Sequence, residues 1–499
     1  MRPLHHILIL IVIGCITYVP SLFGGFIWDD EDFVYENTYV RDFRIDKYFT
    51  ENIAAGRGKV SNYFRPLQMV LYGVLHNAVG FTPIWFHLAN IALHVGATLS
   101  LYLFVCRITA NRTVSLIASL FFLVHPVQTE SVTYISGVSD SLFVLFGFFA
   151  LITYDIYKKT LVTRWYLRSL LMLLLCLLSK ETGLVFVGLL VLLEIFAKKK
   201  HPHLLIPIIG LAALYFAYHT LVIDAVDIRL SWQNTPEYAS SPLVRVATFI
   251  RYFYSYLGLI VFPKQLFMER DAGIVIERSL VAAPVIIFLL SQVGAVLVGW
   301  KWLRHSRNGR IVIFSYLSFH AAFLPYSGIV LINGIFYEHF LYVPLAFAGI
   351  LVSLLFLRLP GIMRTATICI VLILLIVRSW MRQYEWIDPV RFYEQTRAHA
   401  PNSYRVLNNL AMTYAQTGQT EKAMNAYAEG ITQFSYVPNF YHNLANLHAT
   451  NGDITQAERF FELALEVEPT FSFSRTALIE LYGKTGQNEK LQKLLLKKL

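Results

Sequence analysis

The stretch Phe26-Ile27-Trp28-Asp29-Asp30-Glu31-Asp32 follows directly on an apolar run from Ile7 to Ile27. A run of that length covers the roughly 20 residues a helix needs to cross a bilayer. Four carboxylates therefore stand where the chain leaves the hydrocarbon, beside a tryptophan of the kind that anchors at the membrane–water interface. Charge at that boundary is costly to bury. A single Asp there has an ordinary reading, a solvated loop capping a helix. What decides the matter is whether other polar groups gather on the same face.

Further apolar spans recur at about 84–106, 112–124, 138–157, 165–178, 182–197, 203–223, 279–300, 310–331, 339–357 and 364–380, giving eleven with the first. Hydrophobic residues make up 56% of the chain and charged residues 15%, where a soluble domain carries roughly 25% charged residues. The chain is therefore expected to be a polytopic helical membrane protein. The segments 66–81, interrupted by His76 and Asn77, and 243–262, rich in Tyr and Phe with Arg245 and Arg251, read as interfacial helices. The N-terminus lacks a small-residue cleavage site and reads as a retained first helix. Cys15, Cys106, Cys176 and Cys369 all lie in apolar spans, so neither a disulfide framework nor a metal-thiolate site is expected.

Lys and Arg occupy every second connection: Arg107 and Arg112; Lys158, Lys159, Arg164 and Arg168; Lys198, Lys199 and Lys200; Lys301, Arg304, Arg307 and Arg310; Arg358 and Arg364. Positive charge stays on the cytoplasmic side, which places these connections and the N-terminus there. The alternate connections, 28–65, 125–137, 179–181, 224–278, 332–338 and everything after about 381, then lie outside. The net charge of +10 belongs to this membrane part. It is no sign of nucleic-acid binding.

The outer connections hold the unusual residues. They are Asp29 and Asp30; Arg65; His125 and Glu130, leading to Asp140; Lys180 and Glu181; Arg270; and Glu338 with His339. Each alone reads as a capping turn or a satisfied pair within the bundle. Five outer connections carry such groups, with almost none on the other face, and together they describe a polar cavity opening outward.

After Trp380 the composition becomes that of a soluble helical domain, with nine Lys and Arg against nine Asp and Glu from Ala400 onward. Gly418, Gly452 and Gly486 are 34 residues apart, as are Leu410, Leu444 and Leu478, and Ala423 and Ala457. That is the tetratricopeptide period, two helices per repeat. The expected division is a membrane domain over 1–380 and a repeat domain over 381–499. Lys490 to Leu499 reads as a basic amphipathic cap.

Trp28-Asp29-Asp30, Tyr63-Phe64-Arg65-Pro66-Leu67, His87 with Asn90 and His94, and His125-Pro126-Val127-Gln128-Thr129-Glu130-Ser131-Val132 occur here in that order. Lys180-Glu181-Thr182-Gly183 and Glu338-His339-Phe340-Leu341-Tyr342-Val343-Pro344 follow. The set resembles the transmembrane and tetratricopeptide-repeat O-mannosyltransferases and their bacterial relatives, of the GT-C class of glycosyltransferases. The likeness runs over essentially the whole chain. It departs at His339, where that family usually has Arg, and at Val138-Ser139-Asp140, where it has Arg-Ala-Asp.

The resemblance implies an all-α GT-C membrane fold followed by a repeat solenoid. It also implies transfer of mannose or another hexose from a polyprenyl phosphate to an acceptor hydroxyl. Such a donor already carries a competent leaving group. An inverting displacement then needs one carboxylate opposite it to take the acceptor's proton. Asp29 is the first choice by its place in the motif, then Asp30. Arg65, Lys180 and Arg270 would meet the departing phosphate, and His125, Glu130, Glu181, Glu338 and His339 would orient those groups or bind the sugar. No metal is expected, although an acidic pair such as Asp29 and Asp30 is able to hold Mg²⁺ or Mn²⁺. The implied partners are the bilayer, the polyprenyl-phosphate sugar and an acceptor protein recruited by the repeats. The compartment would be a bacterial inner membrane with periplasmic repeats, or the endoplasmic reticulum membrane in a eukaryote. Transfer to a lipid or envelope glycan, and a non-catalytic scaffold acting through the repeats, are the alternatives.

Overall fold

The computed structural model describes residues 3–223, 235–303 and 305–496. Arg304, part of the 224–278 connection (224–234) and the last three residues of the basic cap lie outside them. Among the described residues the regular structure is helical throughout. The chain divides into two compact units, Met1–Ile387 and Asp388–Leu499.

In the first unit the principal helices are α1 (Pro3–Tyr18), α2 (Pro66–Val79), α3 (Pro83–Thr109), α4 (Arg112–Val124), α5 (Val138–Thr160), α6 (Thr163–Ser179) and α7 (Val185–Phe196). After them come α8 (Leu205–Val222), α9 (Pro242–Val261), α10 (Ala283–Val298), α11 (Arg307–Ala321), α12 (Tyr342–Phe356) and α13 (Gly361–Ile387). The domain boundary drawn at 380 falls inside α13.

Eight helical stretches among the described residues are long and apolar enough to cross a membrane, and α9 is one of them. Its contacts say otherwise. Near its start, Arg245 Nε donates to the carbonyl of Gly328 at 2.7 Å. Near its end, the carbonyl of Ile260 lies 3.0 Å from His125 Nε2. Gly328 and His125 both belong to loops at the same end of the bundle. A helix of 20 residues is about 30 Å long, so α9 lies across that end, as its composition suggested. The other seven stretches, with the shorter α4, α6, α7 and α11, run lengthwise, in keeping with eleven spans. This is a multi-pass membrane protein.

Helix α4 is short because the chain beyond it stays inside the protein. Residues 117 to 144 are buried without interruption, so segment 125–137 threads the interior and never meets lipid. Irregular backbone at membrane depth survives only when its polar groups find protein partners. Here Asn90 Nδ2 donates to the carbonyls of Val132, Tyr134 and Ile135 at 3.2, 2.9 and 3.3 Å. Gln68 Nε2 donates to Ser136 O at 3.0 Å and the Tyr72 hydroxyl to Ile135 O at 3.1 Å. Gly137 permits the tight return, since a β-carbon there would come within 2.7 Å of Ser131 O. Helix α13 closes the bundle with a polar stripe. Ser379 Oγ donates to Val124 O at 2.7 Å, and Gln383 joins Thr17 O and Ser21 N–H at 2.8 and 3.2 Å.

The two ends of this unit differ. One carries Arg107–Asp155 (2.7 Å), Lys158–Glu194 (2.8 Å) and Lys159–Asp155 (2.9 Å), all from the basic connections. The other gathers the Asp29 loop, segment 125–137, the Lys180 turn and Glu338.

The second unit is α14 (Pro389–His399), then α15 (Tyr404–Gln416) with α16 (Thr420–Gln433), α17 (Pro438–Thr450) with α18 (Ile454–Val467), and α19 (Ser472–Thr485) with α20 (Asn488–Leu496). Gly418, Gly452 and Gly486 end the first helix of each pair at φ +76°, +83° and +70°. That left-handed backbone suits glycine and explains the 34-residue spacing.

Candidate active site at the Asp29 end

The acidic pair splits into two roles. Asp30 is 1% exposed and its carboxylate accepts from the N–H of Ile27 (3.0 Å) and from the N–H (2.8 Å) and hydroxyl of Ser136. Burial pushes this carboxyl up to about 7, against the pull of those bonds. Asp30 is thus a clamp between its own loop and segment 125–137. Asp29 is more exposed, and its backbone N–H donates to the Tyr134 hydroxyl at 3.1 Å. The Tyr134 ring lies 5.6 Å from that of Trp386. Trp28 just before it sits at φ +58°. A bulky residue there costs about 1–3 kcal/mol, a strain typical of functional loops.

Next to the clamp lies a chain of buried ion pairs. Lys180 Nζ meets Asp140 Oδ1 at 2.7 Å, with both side chains under 10% exposed, and Ser131 Oγ donates to the other Asp140 oxygen at 3.3 Å. Burial lowers the Lys180 ammonium while Asp140 opposes it. Arg65 Nε donates to Glu181 Oε2 at 3.3 Å, and the Phe64 N–H to Oε1 at 2.7 Å. Arg65 also reaches Ser139 Oγ at 3.5 Å and covers the Tyr63 ring at 4.5 Å. The Lys180 turn is thereby tied to the Tyr63-Phe64-Arg65 loop.

A second cluster surrounds Glu338. Glu130 accepts from the His339 N–H at 3.2 Å and from its Nδ1 at 2.7 Å, and burial pushes the Glu130 carboxyl up to about 7. Glu338 is fully buried between Arg270 (3.2 Å) and Arg382 (3.7 Å). The longer contact is an ion pair beyond hydrogen-bond reach. Accordingly, Glu338 Oε2, Arg270 Nε and Arg382 Nε and Nη2 have no hydrogen-bond partner among the described residues. Leaving such atoms unmet costs about 1–3 kcal/mol each, so they ask for water or a polar ligand.

The structure therefore brings Arg65, Glu130, Lys180, Glu181, Arg270, Glu338 and His339 to the end that holds Asp29 and Asp30. His125 differs. Its Nδ1 accepts the Val127 N–H at 3.3 Å and its Nε2 faces Ile260 O at 3.0 Å, so both ring nitrogens are spent on shaping backbone. Arg382, Tyr134 and Ser136 escaped the sequence reading. Arg382 had a signal: Ser379, Arg382, Gln383 and Trp386 share one helical face and continue the last apolar span. Among the described residues no three His, Cys, Asp or Glu side chains converge as a metal site.

These features define a multi-pass helical membrane protein with a polar, partly unsatisfied site at one end and a repeat unit after it. Residues 404–433 and 438–471 match the tetratricopeptide repeat. The chain is similar to Protein O-mannosyl-transferase F38B6.6 of Caenorhabditis elegans, 24% identical over 447 residues, 86% of this chain and 62% of that protein. It is similar also to human Protein O-mannosyl-transferase TMTC1 (30% over 202 residues; 37% of this chain, 23% of that one). For human TMTC3 the figures are 27% over 197 residues, 38% and 21%. The chain thus spans about three fifths of the worm relative's length and under a quarter of the human ones. Among solved structures, ArnT from Cupriavidus metallidurans bound to undecaprenyl phosphate aligns at a TM-score of 0.43 and 14% identity, over 92% of this chain and 75% of that one.

Proposed function

We propose that this protein is an integral-membrane glycosyltransferase that moves a sugar, mannose or another hexose, from a polyprenyl phosphate to a hydroxyl on a protein. The observation that carries the reading is the convergence of Asp29 with the Lys180–Asp140, Arg65–Glu181 and Arg270–Glu338–Arg382 groups at one end of the bundle. The names borne by its relatives support it. The charge of the short connections supports a periplasmic or lumenal location for that end and for the repeats.

In this reading Asp29 takes the proton of the acceptor hydroxyl as that oxygen attacks the anomeric carbon from the face opposite the phosphate. The bond to phosphate oxygen breaks with its electron pair, and configuration inverts. Asp30 cannot share this task while it holds Ser136. The cations balance charge as it builds on the leaving phosphate, and no metal is required. The repeats present the acceptor protein.

The test is Asp29→Asn in the full chain, reconstituted with a polyprenyl-phosphate mannose and envelope or secretory proteins as acceptors. A positioned base contributes about 10²–10⁴ in rate, or roughly 3–5 kcal/mol. Loss of that order in glycopeptides seen by mass spectrometry, with normal membrane insertion, is the expected result. Unchanged transfer would refute the assignment.

A further inference from the structure

His94 and His125 each spend both ring nitrogens on the chain, His94 on the Tyr342 hydroxyl (2.6 Å) and the Leu123 carbonyl (3.1 Å), His125 on the Val127 N–H and Ile260 O. His339 spends one. Its Nδ1 lies 2.7 Å from Glu130 Oε1, and its backbone N–H donates to Oε2 of the same carboxylate at 3.2 Å. Tyr337 stacks on the imidazole at 5.3 Å, and Phe340 meets it edge-on at 4.8 Å. The ring is thus fixed in orientation. Its Nε2 has no hydrogen-bond partner among the described residues, and the side chain is 24% exposed. A carboxylate behind one nitrogen sets what the other nitrogen offers.

The ring lies beside the cations of the candidate site. Ser131, next to Glu130, donates to Asp140, the partner of Lys180. One turn beyond His339, the Tyr342 hydroxyl is 2.8 Å from that of Ser141, the residue after Asp140. Lys180, Asp140 and Arg65 are close enough to act on the charge of His339, and Arg382, Arg270 and Asp140 on that of Glu130. Lys180 is balanced by Asp140 and Arg65 by Glu181, so neither brings spare charge to a phosphate. The Glu130–His339 pair is able to change its own. With one proton, Nδ1–H donates to the carboxylate, Nε2 offers a lone pair, and the net negative pair repels a phosphate. With two, Nε2–H is a donor and the pair is neutral.

We infer that His339 is a catalytic residue: while the Glu130–His339 pair holds two protons, its Nε2–H donates to an oxygen of the leaving phosphate and meets the charge that builds there. The inference rests on the donor being a polyprenyl-phosphate sugar and gives its leaving group a ligand that pH switches. No proton has to cross this bond, since the phosphate departs as an anion with the electron pair of the broken bond. The second proton of two coupled groups is lost at a value that belongs to the pair. Burial that pushes the Glu130 carboxyl up to about 7 sets this loss in the neutral range.

The experiment follows kcat from about pH 6 to about pH 9 with the full chain and a polyprenyl-phosphate mannose. Above the neutral range the wild type should lose about tenfold per pH unit, the slope of one essential proton. His339→Gln and His339→Arg keep an N–H that does not titrate, so both should stay within a few-fold of the wild-type rate at about pH 6 and lack the alkaline fall. His339→Phe should run about a hundredfold slower at about pH 6, the scale of one donor to developing charge. Near pH 9 it should meet the wild type, whose imidazole no longer donates. An alkaline fall that persists in His339→Gln and His339→Arg overturns the inference. So does a His339→Phe deficit that is equal at every pH, which marks a structural role. Binding of undecaprenyl phosphate at about pH 7 and about pH 9, where a phosphate with its second pKa at about 6 is mostly doubly charged, gives a readout without turnover. It should weaken about tenfold in the wild type and hold steady in His339→Arg, and equal pH dependence in the two overturns the assignment. Should His339→Phe fail to fold, the other two profiles and this binding decide. Absence of transfer by the wild type would count against the donor reading alone, and the binding comparison still judges His339.

Discussion

Two buried carboxylates at opposite ends of the bundle, Glu194 and Glu338, are both paired with cations, yet they differ in how fully they are met. Glu194 takes two bonds from Lys158 at 2.9 and 2.8 Å, one from the Tyr154 hydroxyl at 2.7 Å, and the His201 N–H. Glu338 has one bond to Arg270 and a loose contact to Arg382, and polar atoms on all three residues stay unmet. Breaking a buried pair is expensive, but possession of one is weak evidence of stability. Saturation is the better guide. A group whose valences are filled by its own chain holds the fold, and one left short is completed from outside the chain, by water or by a polar ligand.

That contrast can be broken in several ways. The largest effect is expected from Lys180→Met, which strands Asp140 inside the protein and should cost about 3–5 kcal/mol of stability. Lys159→Met at the other end, where the lysine is 57% exposed, should change stability by less than about 0.5 kcal/mol. Equal losses in unfolding titrations would erase the distinction between the ends. Next, Glu338→Gln should lower transfer about a hundredfold, the scale of losing one electrostatic partner at a reacting centre. Glu194→Gln should leave transfer rates unchanged and act on the unfolding midpoint alone.

Tyr134→Phe sharpens the comparison within the site. It removes the bond to the Asp29 N–H and keeps the ring against Trp386, so about 1 kcal/mol, or roughly fivefold in kcat, should go with donor KM unchanged. A further test concerns pH. Folded Asp30 holds its proton up to about 7, against 3.8 for an ordinary aspartate, so between those values the folded state binds more protons than the unfolded one. Stability should therefore fall as pH rises from about 4 to about 7 and level off above. Asp30→Asn should flatten that slope in thermal melts. Glu130, likewise raised to about 7 from 4.5, accounts for the slope that stays.

Much of this was legible in the chain. The repeat register followed from glycines that must adopt positive φ, a local demand that any sequence with such turns displays. Helix α9 could be laid across the bundle end from its Tyr, Phe and Arg content, although its length alone fits a span. The polar motifs between apolar spans named most of the residues that gather at the Asp29 end. The place of His125 was not legible, because a histidine in a polar loop looks the same whether its ring nitrogens face a ligand or a backbone. Arg382 was missed because the apolar span was ended two residues too early, just where its polar face begins.

By itself the sequence determined the helical membrane class, the repeat unit and the set of polar residues sharing one end, because hydrophobic length, charge bias and turn chemistry are all local along the chain. Only the tertiary structure decided that Asp30 is a clamp while Asp29 is not, that Lys180 is neutralised by Asp140, and that Arg382 completes the cluster around Glu338. Those are questions of which valences are already filled. They are settled by residues 40 to 106 positions away, as Asp140 settles Lys180 and Ser136 settles Asp30, and no local window of sequence contains both partners.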